Sequence, residues 1–237
     1  MSRKKTIACN FTAEDSYALE GLHNHCIHVP SRQIWIHGTP LDLIDPSVAG
    51  VEPGVEYMMS TRLEKNLELL RWTSEREPVI IHLHTNGGMV EEGIAIYDMI
   101  KSMPFRVIMI NHTHARSMSS VILQAADVRF MLPHSHFMFH GGSIGIEAEM
   151  RTAYSNIKFC QEFFDKFMLD VYTENATHGK KFRDKKVWTK AAIRAFLEKE
   201  MEKKADVFLT AKETVDWGFA DEIMTSWDQI KAAKTAV

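Results

Sequence analysis

Residues 106–126 read RVIMINHTHARSMSSVILQAA, and this stretch determines the predicted fold class. A β-type run from Arg106 to Asn111 ends in a polar segment, and a helix-prone run from Val121 to Ala126 follows. Ser117 lies in the turn between the two runs. A side-chain hydroxyl at such a turn can be both exposed and activated by the start of the helix. A strand that leads through a short turn into a helix is typical of an α/β protein.

Strands and helices alternate on both sides of this stretch. Apolar runs of strand length lie at residues 33–38 and 79–83 before it, and at residues 128–132 and 136–140 after it. Apolar residues with helical spacing lie at residues 56–72 and 89–103. This order predicts a parallel sheet with right-handed crossover connections.

We divide the 237 residues into four parts of one domain. Residues 1–30 are predicted to be a polar arm or a short β segment, and residues 31–145 a head that contains Ser117 and His140. Residues 146–204 comprise a helix from Glu147 to about Glu174, a charged connector and a second helix. The first of these helices is longer than a small core can cover, so we expect it to project. Residues 205–237 are predicted to form a returning strand, a helix closed by Gly218 and a C-terminal tail.

The composition is that of an ordinary soluble protein. Hydrophobic residues make up 45% and charged residues 25%, with a net charge of −3. The charge gives no electrostatic reason to expect nucleic acid or a membrane surface as a partner. No run approaches the roughly 18 apolar residues of a membrane span, and polar residues interrupt any signal-peptide core near the N-terminus. We therefore expect a cytoplasmic protein.

Cysteines and histidines can supply disulfides, a cysteine nucleophile or a metal site, and the sequence bears on each of these possibilities. The three cysteines are widely spaced and form no CxxC pair, which fits reduced structural thiols better than disulfides or a cysteine nucleophile. Three His-x-His pairs begin at His82, His112 and His134, and the members of each pair share a face if they lie on a strand. No Asp or Glu accompanies them in a metal-ligand pattern. We favour polar residues near the rim of the active site, and we predict no metal and no other cofactor.

A serine nucleophile needs a base, an acid that orients the base, and donors for the oxyanion. His140 ends an apolar strand and is the candidate base for Ser117. Gly88 ends a third strand segment, and a glycine there lets a backbone N–H approach a reacting carbonyl. The N–H of Met118, at the start of the following helix, is the second candidate donor. Each residue alone has a plainer explanation, as a helix cap, a tight turn or a strand-end histidine; together they predict a serine hydrolase, most simply a peptidase.

The same segments resemble the proteolytic subunit of the caseinolytic (Clp) peptidase family. Residues 85–98 resemble its Ser-Pro-Gly-Gly segment and following helix, and residues 115–118 its Ala-Ala-Ser-Met nucleophile turn. Residues 132–140 are similar to its Leu-Pro-Asn-Ser-x-x-Met-Ile-His segment, which ends at the catalytic histidine. Residues 206–211 and 217–221 resemble its Asp-x-Phe-Leu-Ser-Ala and Tyr-Gly-Leu-Val-Asp segments. The similarity covers about residues 33–225 in a consistent order.

The resemblance implies a role for each residue of the site. Ser117 would be the nucleophile, His140 the base and Asp206 the orienting acid, with the backbone N–H groups of Gly88 and Met118 as oxyanion donors. The implied fold is an α/β, crotonase-like β-β-α spiral with a projecting handle helix. The resemblance further implies a homo-oligomeric ring of seven subunits, peptides or unfolded proteins as substrates, and an AAA+ unfoldase as a partner.

The chain also departs from the family pattern. Asn86 replaces a proline, and Arg116 replaces a small residue before the nucleophile, where it would perturb the site or pair with an acid. Ala205 stands where the family has an arginine used between rings. The Tyr-Asp-Ile-Tyr-Ser-Arg type segment is absent from the N-terminus, so the sequence does not support docking to an unfoldase. Divergent relatives of this kind include phage head-maturation proteases.

Two alternative functions stay open at this point. One is a catalytically inactive scaffold with the same fold, suggested by Arg116 and by a connector after the handle helix, around Thr177–Trp188, that is longer than that of the family. The other is a crotonase-fold enzyme that acts on acyl-thioesters and uses the same glycine backbone to polarise a carbonyl. A complete triad argues against the acyl-thioester enzyme. Peptide turnover distinguishes an active peptidase from the inactive scaffold.

Overall fold

The computed structural model describes residues 12–38 and 54–235, and within these ranges helices pack on a mixed sheet. The strands there are β1 (Ile27–His28), β2 (Gln33–Ile36), β3 (Val79–Thr85), β4 (Val107–Arg116), β5 (Val128–Met131), β6 (His136–Phe139), β7 (Val207–Thr210) and β8 (Glu222–Ile223). The helices are α1 (Ala13–Asn24), α2 (Tyr57–Thr73), α3 (Val90–Ser102), α4 (Met118–Leu123), α5 (Met150–Phe159), α6 (Lys166–Ala176), α7 (Lys190–Lys204), α8 (Ala211–Trp217) and α9 (Trp227–Thr235).

The predicted parallel order of strands is confirmed. β2, β3, β4 and β5 lie side by side and parallel, with β1 antiparallel to β2 at one edge and β8 parallel to β5 at the other. α2 connects β2 to β3 and α3 connects β3 to β4, as the helical spacing predicted. Gly218 closes α8 with φ 87°, the left-handed conformation expected of a glycine after a helix.

β4 belongs to two parts of the sheet, and this arrangement positions the site. Its first half pairs with β3 and β5, whereas its last residues pair in parallel with β6, with Arg116 opposite Met138. β7 runs antiparallel to β6, with Phe139 opposite Val207. The end of β4, the end of β6 and the start of β7 therefore lie at one edge. The sequence predicted an end near Asn111, because the polar residues that follow carry no β signal of their own.

Both faces of the sheet are buried. Val79, Ile81 and Leu83 belong to the main core, which includes the apolar sides of α2 and α3. Ile80 and its neighbours on β4 point to the opposite face, where Ile230 of α9 covers them. Burial on both faces explains why these strands are almost continuously apolar in sequence.

The two ends of the described chain differ from the prediction. Residues 1–30 were predicted to be an arm or a short β segment, but α1 occupies Ala13–Asn24 and only the short β1 follows it. A capping box starts α1: the Thr12 hydroxyl accepts the N–H of Asp15, and the Asp15 carboxylate accepts the N–H of Thr12. The predicted C-terminal tail contains α9. The four-part division of the chain itself stays a prediction.

The long handle helix is interrupted. Instead of one regular helix over residues 147–174, α5 continues through a π-helical turn (Cys160–Asp165) into α6. α5 has no buried residue, whereas α6 buries one side in the core. The outer half of the helix therefore projects and the inner half packs on the head.

Some of the residues used in the sequence analysis lie outside the described ranges. Residues 39–53, between the predicted strand at residues 33–38 and the predicted helix at residues 56–72, lie outside them, as does Cys9. Of the other cysteines, Cys26 is buried and Cys160 is partly exposed, and both are free thiols. In the described ranges no helix is both long enough and apolar enough to cross a membrane.

Candidate active site

Ser117 occupies the turn between β4 and α4 in a strained backbone conformation. Its φ of 51° and ψ of −126° lie in a region that non-glycine residues rarely adopt. The Ser117 N–H donates to the carbonyl of Met138 on the neighbouring strand β6, at 3.0 Å. The turn is thus fixed to the strand that leads to His140.

The structure brings Ser117, His140 and Asp206 together. The Nε2 of His140 lies 2.8 Å from the Oγ of Ser117, within hydrogen-bond distance. On the other side of the ring, the Nδ1 of His140 lies 3.2 Å from Oδ1 of Asp206. The register explains this: His140 follows β6, Ser117 follows the parallel β4, and Asp206 precedes the antiparallel β7. The Asp206 side chain is 50% exposed, so the acid is on the open side of the group.

The glycine turn lies against Ser117. Thr85 on β3 pairs with Ala115 on β4, which brings Gly87 level with Ser117. Gly87 has φ 97°, and a β-carbon there would lie 2.8 Å from the Ser117 β-carbon and 2.9 Å from the Met118 nitrogen. Gly88 has φ 155°, and a β-carbon there would collide with the backbone of Val55. Only glycine fits either position.

The two candidate oxyanion donors are the residues that follow Ser117 and Gly87 in the chain. Met118 is the first residue of α4, and the first N–H groups of a helix have no acceptor inside the helix. Gly88 follows Gly87, which packs on Ser117. The N–H of Met89, the next residue, donates to the Val55 carbonyl at 2.9 Å. The glycine turn is thus held in place by the backbone on the side away from Ser117.

Within the part of the chain that the structure describes, Arg116 pairs with a histidine and an aromatic ring, so the predicted pairing with an acid is wrong. Its Nε donates to the Nε2 of His136 at 2.8 Å, and its guanidinium lies over the ring of Phe208, 5.7 Å from the centroid. Burial, and then the charge of Arg116, lower the pKa of His136, which keeps it neutral as an acceptor. Arg116 therefore links β4, β6 and β7.

The histidine pairs contact one another across strands. His82 Nδ1 lies 2.8 Å from His112 Nε2, and His82 Nε2 lies 2.8 Å from Oε1 of Gln33. Since the amide oxygen can only accept, His82 donates through Nε2 and accepts the N–H of His112 through Nδ1. Burial lowers the pKa of His82 to about 4. Within residues 12–38 and 54–235, no group of three or more His, Cys, Asp or Glu side chains is arranged to hold a metal ion.

A cavity of about 600 Å³ adjoins the site. It begins at Met89, next to Gly88, and at Gly142, two residues after His140. The helical side of the cavity is formed by the π-turn region and is largely apolar, with Ile157, Phe164 and Met168. A polypeptide side chain held near Ser117 would have an apolar recess of this size beside it.

Fold and site together define an α/β protein with a Ser-His-Asp group and a glycine turn at one sheet edge. The sequence profile of the Clp protease family matches residues 43–227. ATP-dependent Clp protease proteolytic subunit 1 of Chlamydia abortus is 29% identical over 170 residues, 70% of this chain and 80% of the relative. Proteolytic subunit 2 of Pseudomonas aeruginosa is 27% identical over 182 residues, 76% of this chain and 82% of the relative. The chain belongs to the Clp protease family.

Family membership confirms the fold class predicted from the sequence, the α/β spiral of the Clp proteolytic subunit with its handle helix. It also favours a peptidase over the scaffold and acyl-thioester alternatives. The sequence pointed to the three residues of the Ser-His-Asp group. It did not point to Ser120, whose hydroxyl donates to the Ser117 carbonyl, or to Tyr172, whose hydroxyl contacts that of Ser120.

Proposed function

We propose that this chain is a serine endopeptidase that cleaves peptides or unfolded proteins through an acyl-enzyme. The observation that carries the proposal is the 2.8 Å contact between His140 Nε2 and Ser117 Oγ, with Asp206 at the other ring nitrogen. A nucleophile, base and orienting acid in this order are the requirement for serine acyl transfer.

The first half-reaction follows from these contacts. His140 Nε2 takes the Ser117 hydroxyl proton as the oxygen attacks the substrate carbonyl carbon. The Asp206 carboxylate then faces the positively charged imidazolium and stabilises it. His140 passes the proton to the leaving amine, the C–N bond breaks, and Ser117 carries the acyl group. In the second half-reaction water attacks the ester, with His140 again as base, and Ser117 is released.

The oxyanion of each tetrahedral intermediate would be bound by the N–H groups of Met118 and Gly88. Donors held in place before the reaction contribute about 3 kcal/mol each to the lowering of such barriers. The fixed glycine turn and the start of α4 support this assignment, since both are anchored independently of a substrate.

Assembly into a homo-oligomeric ring is part of the proposal, with seven subunits as the expected number. The exposed apolar side chains of α5 and the π turn support it, since a helix with no buried residue and several exposed aromatics needs a partner surface. The relatives are named as proteolytic subunits of an ATP-dependent protease, which supports an AAA+ unfoldase as a further partner.

Peptide turnover by wild type and Ser117→Ala tests the proposal. We expect the variant to lose hydrolysis of unstructured peptides by a factor of at least about 1,000, because the nucleophile is removed, and to keep the wild-type assembly mass. Full activity in Ser117→Ala would refute the serine mechanism. An assembled wild type without any turnover would instead favour the inactive scaffold.

A further inference from the structure

The carbonyl oxygen of Ser117 is held by two donors from one residue. The backbone N–H of Ser120 donates to it at 2.9 Å, which is an ordinary bond at the start of a helix. The Ser120 hydroxyl donates to the same oxygen at 2.6 Å. Helix geometry requires only the first of these bonds.

The Ser120 hydroxyl is itself fixed by Tyr172 of α6. The Tyr172 hydroxyl lies 2.7 Å from Ser120 Oγ. Since the hydrogen of Ser120 points to Ser117, the Tyr172 O–H must donate to Ser120. Tyr172 is 1% exposed, and burial raises its pKa, so the phenol stays a proton donor. A directed chain therefore runs from α6 through Ser120 to the nucleophile turn.

The orientation of this carbonyl determines the direction of a candidate oxyanion donor. The C=O of Ser117 and the N–H of Met118 belong to the same planar peptide unit and point in opposite directions. A force that holds the oxygen on the α4 side therefore keeps the Met118 N–H turned away from α4. The strained dihedral angles of Ser117 give the peptide unit a tendency to rotate, which the two Ser120 bonds oppose.

We infer that Ser120 and Tyr172 are positioning residues of the active site, which orient the Met118 N–H for the oxyanion through the carbonyl of Ser117. This inference rests on the proposed function, since it needs a reaction with an oxyanion. It adds α6, the inner half of the handle helix, to the elements that determine catalytic geometry. No substrate contact is required of either hydroxyl.

The two variants to test it each remove one oxygen atom from a buried site. Ser120→Ala removes both hydroxyl contacts, and Tyr172→Phe removes only the outer one. We expect a fall in kcat of about 10-fold or more for Ser120→Ala and a smaller fall for Tyr172→Phe, with KM unchanged, because only transition-state binding is affected. The double variant should equal Ser120→Ala, because Tyr172 acts only through Ser120.

A matched control lies next to Tyr172 on the same helix. Thr173 is also 1% exposed, and its hydroxyl donates to the Leu169 carbonyl, away from the site. Thr173→Val removes a buried hydroxyl at similar cost in stability and should keep the wild-type kcat. A peptide boronate forms a tetrahedral adduct on serine. Its affinity should fall together with kcat in Ser120→Ala and should stay unchanged in Thr173→Val.

Two results would overturn the inference. If an active wild type and both hydroxyl variants share the same kcat and boronate affinity, Ser120 and Tyr172 have no positioning role. If Thr173→Val loses as much as they do, the effect is general destabilisation of α6. A wild type without Ser117-dependent turnover would overturn the proposed function as well, so the two failures are distinguishable.

Discussion

At the scale of single residues, the site depends on a backbone that would not adopt its geometry unaided. A non-glycine residue with the dihedral angles of Ser117 costs of the order of 1–3 kcal/mol. The surroundings over-determine this conformation: Met138 binds its N–H, Ser120 binds its carbonyl, and Gly87 packs directly against its β-carbon. Strain held in this way is typical of positions where a group must be presented at a fixed angle.

Gly87→Ala is predicted to disrupt the nucleophile turn. The added β-carbon would lie 2.5 Å from the Arg116 carbonyl and would meet Ser117 and Met118, at a φ that alanine rarely adopts. We expect peptide hydrolysis to fall by about 100-fold or more, since displacements of about 1 Å in a site have effects of that size. The measurement is kcat/KM with an unstructured peptide.

The control for this prediction is Gly145→Ala. A β-carbon at Gly145 meets no atom within 4 Å, and Gly145 lies in the same stretch that leaves His140. A kcat/KM of Gly87→Ala equal to that of wild type, with Gly145→Ala also unchanged, would show that the glycine turn does not constrain Ser117.

At the scale of secondary structure, the branching of β4 brings the three side chains together. Apolar runs predicted β2, β3 and the first half of β4, and in β3 and β4 the runs are almost continuous because both faces of these strands are buried. The second half of β4 is stabilised by its pairing with β6, a long-range contact that local propensity cannot reveal. The π turn is similarly invisible, since one inserted residue only shifts the phase of an apolar pattern.

Burial of His82 on β3, and then its contact with His112 on β4, make fold stability depend on pH. The pKa of His82 is about 4, below the value near 6.5 of an unfolded chain. Between these values the unfolded state binds more protons, so stability falls as the pH falls from about 6.5 to about 4. The loss from this residue alone is about 3 kcal/mol.

Urea unfolding at several pH values in this window checks the prediction. His82→Gln should show a flatter dependence than wild type, because the buried titrating group is gone. His134→Gln, at an exposed position in the turn before β6, should retain the wild-type slope. Equal slopes in wild type and His82→Gln would contradict the assignment.

At the scale of the whole molecule, the outer half of the handle helix carries a row of exposed apolar side chains. Phe159 and Phe163 stack with ring centroids 5.3 Å apart, and each is about half exposed, at 52% and 51%. Met150 and Tyr154 extend this surface along α5. Apolar side chains in such number on a projecting helix are typical of an interface between protein chains.

The assembly is predicted to depend on this surface. Replacing Phe159 and Phe163 together by Ser should lower the solution mass measured by sedimentation, because the apolar contact area is lost. Replacing Lys158 and Glu162 by Ser on the same helix removes an exposed ion pair, 3.7 Å apart, and should leave the mass unchanged. An unchanged mass in the phenylalanine variant would exclude this surface from the interface.

Much of the site could be predicted from the sequence, but the basis of the prediction differs from residue to residue. Ser117, His140 and the glycine turn each stand at the end of an apolar strand, so chemistry and pattern both indicated them. Asp206 was identified only through resemblance to the family, because nothing local distinguishes it from other exposed carboxylates. Tyr172 is 52 residues from Ser120, and only folding brings the two hydroxyls together.

The most direct test of the central claim is the intact mass of the protein after exposure to a fluorophosphonate, measured on wild type and Ser117→Ala. A reactive serine with its base and oxyanion donors in place should give one adduct on wild type and none on the variant. A single adduct that persists in Ser117→Ala would contradict the assigned nucleophile. No adduct on assembled wild type would contradict the claim that Ser117 is activated by His140 and Asp206.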